Sequence, residues 1–128
     1  MTPRRILITA FLAIASRPAF AHDEASRGDN GGVIGDLGDR HIEVLARDGE
    51  VRIWLLDAQN KAVPAIGASG SLIVLAQGQQ RTIRLEAGDA GAYLVGHGDF
   101  RAVPGMRVVV SLTLPGQPPR QARFTPAD

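Results

Sequence analysis

The chain has 128 residues, a formal charge of +1, 45% hydrophobic side chains and no cysteine. Such a length holds one domain with a modest core, and the missing cysteine excludes a disulfide framework, a thiolate metal site, a cysteine nucleophile and a lipid-modified N-terminal cysteine. With Lys61 as the only lysine and the arginines read as scattered between acids, composition argues against a nucleic-acid partner.

At the N-terminus, Arg4 and Arg5 precede an uncharged apolar run, Ile6 to Ala15, that is too short to anchor in a bilayer. Pro18 interrupts it, and Ala19-Phe20-Ala21 supplies the small-x-small pattern that a signal peptidase accepts. Residues 1–21 are therefore expected to be a cleaved signal peptide, with export to the periplasm and no membrane span after cleavage. Losing Arg4, Arg5 and Arg17 takes the 14 basic side chains of the precursor below its 13 acidic ones, so the mature chain is weakly acidic. Residues 22–32 are polar and glycine-bearing and read as a flexible lead-in to a domain over 33–128.

From Val33 onward short apolar stretches alternate with turn signals. His41 to Arg47 and Glu50 to Asp57 flank Asp48-Gly49, a strong hairpin signal. Ile42, Val44 and Ala46 share one face of the first of these strands, leaving His41, Glu43, Leu45 and Arg47 on the other. A connection from Ala58 to Gly70 leads to Ser71 to Ala76 and Arg81 to Glu86, joined through Gln77-Gly78-Gln79-Gln80. Ala92 to Gly96, Met106 to Leu114 and Arg120 to Thr125 complete about seven or eight strands, and no window shows a helical period. The pattern predicts an all-β fold, a single antiparallel β-sandwich of immunoglobulin-like or Greek-key arrangement, with a small closed barrel as the other solution.

Asn30-Gly31-Gly32, His41-Ile42-Glu43-Val44, Asp48-Gly49-Glu50-Val51, Leu56-Asp57 and Val108 to Leu112 together resemble small periplasmic β-sandwich proteins. Similar modules are fused to adaptor subunits of heavy-metal efflux pumps. The resemblance spans most of the mature chain and implies a periplasmic setting, metal handling, and an efflux adaptor or another envelope protein as partner. In those relatives a histidine commonly precedes the Gly-Gly pair, and here Asn30 stands there. A metal site built on that histidine would be weakened or moved.

Three histidines are then the candidate ligands. Cleavage after Ala21 would leave His22 as the first residue, and its α-amine and imidazole can chelate one ion in a small ring. Tetragonal nitrogen and oxygen ligation of that kind suits copper(II) or nickel(II), copper being favoured, and Asp23 and Glu24 are adjacent. The plain alternative is a terminal residue in a tail. His41 and Glu43, two apart in one strand, point the same way and offer two further ligands, or form an ordinary solvated face. His97, in Gly96-His97-Gly98-Asp99, is a loop ligand or a loop histidine with no special role. Trp54 and Tyr93 read as packing aromatics more readily than as a contact surface, and Met106, the only methionine of the mature chain, does not make a thioether copper site.

Nucleophile elbows, zinc-protease helices and phosphate-cradling loops are absent from the sequence, so an enzyme is not expected. Two readings remain. One is a periplasmic metal-binding or metal-delivery accessory with a divalent ion on His22, His41, Glu43 and His97, and the other is a β-sandwich interaction or structural domain of the envelope that binds no metal.

Overall fold

The computed structural model describes residues 26–126; the expected signal peptide and His22 lie outside them. The described chain is β1 (Val33–Leu37), β2 (Arg40–Arg47), β3 (Glu50–Leu56), β4 (Ala62–Val63), β5 (Ser69–Ala76), β6 (Gln79–Arg84), β7 (Glu86–Gly88), β8 (Tyr93–His97), β9 (Arg107–Thr113) and β10 (Arg120–Phe124). Sheet A runs β1-β2-β3-β8-β7 with β4 beside β3, and sheet B runs β10-β9-β5-β6. All neighbours are antiparallel. The fold is the all-β sandwich that the alternation predicts.

Each strand forms where apolar side chains recur at every second residue, because that period puts them all on one face of a sheet. Ile42, Val44, Val51, Ile53, Leu55 and Leu94 line the inner face of sheet A, and Leu72, Val74, Val108, Val110, Leu112 and Phe124 line that of sheet B. Ten of these twelve are no more than 1% exposed, so the space between the sheets is a dry core. Two short strands escape the pattern, because β4 and β7 hold two and three residues and show no alternation to read.

Turn chemistry sets the hairpins. Gln77 and Gly78 both take positive φ, 52° and 72°, the two-residue geometry whose twist matches a β-hairpin, here β5–β6. Gly49 takes φ 73° between β2 and β3, and this turn is tied to the loop after β8. Gly49 N–H donates to Phe100 O at 2.9 Å, Gly98 N–H to Gly49 O at 3.1 Å, and Ala102 N–H to the Asp48 carboxylate at 2.8 Å. At the other side of the sandwich the Phe124 ring packs on the backbone of Gly35, where any side chain would collide with it, and so β10 closes over β1.

The segment that reads as a flexible lead-in is bound to the sandwich from Ser26 onward. Ile34 N–H donates to Ser26 O at 2.8 Å, Arg27 bridges to Val33, and Gly28 N–H donates to Gly32 O at 2.9 Å. Residues 26–34 thus make a small hairpin on the free edge of β1.

Candidate functional site

The described histidines and Glu43 sit on the outer face of sheet A, in register positions that keep them apart. His41 lies opposite Leu56 of β3, whereas His97 lies opposite Glu50, six residues back along the same strand. At the rise of an extended chain that is roughly 20 Å. The structure does not bring His41 and His97 together, and among the described residues no group of three or more His, Asp or Glu could share a metal ion.

His41 is exposed and held from two sides, Nδ1 by Asn60 Oδ1 at 2.8 Å and Nε2 by the Asp36 carboxylate at 3.0 Å. His97 is the last residue of β8, not part of a loop, and its Nε2 lies 3.3 Å from Glu50 Oε1. The other oxygen of Glu50 accepts from Arg52 Nε at 2.9 Å, and the Arg52 guanidinium lies 4.9 Å over the Tyr93 ring, which is tilted against Trp54 at 5.5 Å. One row of side chains, His97 to Trp54, is thereby locked by charge and cation–π contact. Asp99 turns away toward Arg81, 3.8 Å distant. Trp54 is buried, but on the outer face of sheet A and outside the inter-sheet core.

Glu43 departs most from its sequence reading. Strand alternation puts it on the solvated side with His41, yet it is 1% exposed. Its Oε2 accepts from the Asn30 N–H at 3.0 Å and the Gly32 N–H at 2.8 Å, and its Oε1 from the Asn30 side-chain amide at 3.0 Å. The turn over residues 28–32 folds across the sheet and covers it. Gly28 and Gly32 are what allow this approach, since a β-carbon on either would strike the Glu43 side chain. The carboxylate works as a clamp on the turn, and Asn30, at the position where the resemblance leads one to expect histidine, is one of its ligands.

Sheet B carries a different surface. Alternation turns Gln80, Thr82 and Arg84 of β6, Ser69, Ser71, Ile73 and Leu75 of β5, Arg107, Val109, Ser111 and Thr113 of β9, and Gln121 and Arg123 of β10 away from the core. Register aligns them in rows: Arg84, Ser71, Ser111, Gln121; then Thr82, Ile73, Val109, Arg123; then Gln80, Leu75, Arg107. Every charged residue in the four strands is arginine. Arg84, Arg107 and Arg123 are exposed and make no ion pair with another described residue. The arginines are therefore not scattered between acids in space. A trace of this was present in the sequence, where residues 58–85 and 100–127 contain no Asp or Glu, but only strand pairing puts those two stretches side by side.

No helix of the described residues is long and apolar enough to cross a membrane. Comparison of the chain with protein-family models, with curated proteins and with solved structures returns no match.

Proposed function

We propose that this protein is an exported, non-catalytic interaction module of the cell envelope that meets an anionic partner through the outer face of sheet B. The observation that carries this reading is the arginine-only charge of that face. Three guanidiniums stand on a hydroxyl- and amide-bearing surface, none of them paired with a carboxylate of the described residues, and such a local field attracts acidic groups whatever the net charge of the molecule. Arginine also pairs carboxylates in a bidentate way, which gives orientation along with attraction.

The test exploits the contrast between face and whole. The protein processed at Ala21 is weakly acidic, so at pH 8 and low salt it should pass through a cation-exchange matrix unless a local patch holds it. Retention is expected, with elution moved to clearly lower salt in Arg84→Ser/Arg107→Ser/Arg123→Ser. Flow-through of the unmodified protein would end this reading.

A second reading, metal binding or delivery beside a heavy-metal efflux system, is favoured by one feature of the sequence. Processing at Ala21 would create a His22 terminus next to Asp23 and Glu24. His41, Glu43 and His97 would not join it as a set, being held by Asp36 and Asn60, by the 28–32 turn and by Glu50 respectively. A copper(II) titration followed by electron paramagnetic resonance is expected to show one nitrogen-coupled site, lost in His22→Ala and retained in His41→Ala and His97→Ala. Equal binding by His22→Ala would remove His22 from the site.

A further inference from the structure

We infer that the outer edge of β6 receives an extended, acid-bearing segment of a partner protein as an added strand of sheet B. This rests on the reading of sheet B as the interaction surface and names how the partner is held.

The phase of the β5–β6 hairpin fixes which backbone groups are free. A two-residue turn at Gln77-Gly78 makes Ala76 and Gln79 the closing hydrogen-bonded pair, and bonded pairs then alternate along the ladder. Gln79, Arg81 and Ile83 accordingly bond to β5, while the N–H and C=O groups of Gln80, Thr82 and Arg84 point the other way. The same phase continues one step on, where Leu85 N–H donates to Gly70 O at 3.0 Å. Sheet B ends at β6, and no strand among the described residues pairs with that outer side. Three donors and three acceptors in a row form a template for strand addition.

The other open edge of sheet B does not offer this. β10 is folded over β1, with Phe124 on Gly35 and Arg120 against Gly38. Along β6, in contrast, all residues but Ile83 are exposed. On the inner side of the edge lies a cleft of about 230 Å³ lined in part by Gln79, Arg81, Phe100 and Arg101, where alternate side chains of an added strand would enter.

Charge chooses the occupant. Arg81 and Arg84 point to opposite sides of β6, so an added strand meets a guanidinium on both of its faces, and acids an odd number of residues apart, which also fall on opposite faces, would answer them. Among the described residues Asp99 lies 3.8 Å from Arg81, and Arg84 makes no ion pair. A second copy of the chain is the wrong partner for the same reason: β6 against β6 would gather four arginines along one seam.

The probe is a ten-residue peptide in which pairs of Thr alternate with pairs of Glu, so that both faces of the strand carry acids, with Lys in place of Glu as its control, both followed by fluorescence anisotropy and by amide hydrogen exchange of the protein. The acidic peptide is expected to bind with an affinity that falls as salt rises, to slow exchange of the Gln80, Thr82 and Arg84 amides, and to leave the lysine peptide unbound. Thr82→Pro removes one outward N–H while sparing the bonds to β5, and should weaken binding by about tenfold or more with retention on the cation exchanger unchanged. Should that variant unfold, the exchange pattern of the unmodified protein decides alone. Binding that leaves those three amides unprotected, or no binding at millimolar peptide, overturns strand addition. If the protein is still retained on the exchanger in that case, the basic face survives and only the mode of capture is wrong; flow-through removes both.

Discussion

Glu43→Ala is expected to destabilise the protein by about 3 kcal/mol, a fall in Tm of roughly 15 °C, read by urea and thermal unfolding. The carboxylate is buried and accepts three hydrogen bonds, two from backbone N–H groups of the 28–32 turn. Truncation leaves the buried Gly32 N–H without its acceptor and opens a void under Gly28, and both effects fall on the native state. Glu43→Gln should cost only about 1 kcal/mol. Its amide oxygen can take the two backbone donors, the Asn30 side chain can turn its own oxygen toward the new NH2, and only the assistance of charge is lost. Equal loss in the two variants would mean that the negative charge, not the hydrogen-bond geometry, holds the turn.

Gly70→Ala is expected to cost about 3 kcal/mol, although Gly70 lies in a strand and has an ordinary backbone conformation. Gly70 pairs with Leu112 across the β5–β9 ladder, and a β-carbon there would run into the Ser111 carbonyl oxygen, with Leu112 Cδ2 at 2.9 Å and Cα at 3.1 Å. The obstacle is largely backbone held in a sheet, so relief requires displacing β9 and not merely turning a side chain. Gly78→Ala is the informative companion. It sits at φ 72° with nothing within 4 Å, so its cost of about 1 kcal/mol would be conformational alone. If the two substitutions cost the same in urea unfolding, the close approach of β5 to β9 is not as drawn.

Both residues mark where local pattern stops being informative. Gly70 falls at the end of a Gly- and Pro-bearing connection, and nothing near it in sequence says that β9, some forty residues later, passes within contact distance. Glu43 follows the alternation of β2 correctly, on the face away from the core. Its burial comes from the chain just upstream doubling back over that face, an event that the period of β2 does not encode. Gly96 and Gly98 on either side of His97 predict a loop, yet Gly96 and His97 are in strand β8, and Gly96 lets the sheet pass close to Ile83.

What the sequence determined by itself was carried by period and turn chemistry: the all-β class, the positions of β2, β3, β5, β8, β9 and β10 to within about two residues, the hairpin at Asp48-Gly49, a turn after Ala76, and the inward set of aliphatic side chains; β6, expected over Arg81 to Glu86 after a four-residue turn, runs Gln79–Arg84 because the turn is only Gln77-Gly78. Those properties depend on residues two to four apart, and a two-residue repeat is enough to choose a face. The tertiary structure alone decided which strands are neighbours, and with that the separation of His41 from His97, the covering of Glu43, the gathering of Arg84, Arg107 and Arg123 on one face where the four described strands carry no carboxylate, and the open edge of β6. Apart from the covering of Glu43, which comes from the turn just upstream, these follow from how the chain crosses between strands and sheets, where hydrophobic burial is satisfied by many strand orders and local preference does not distinguish among them.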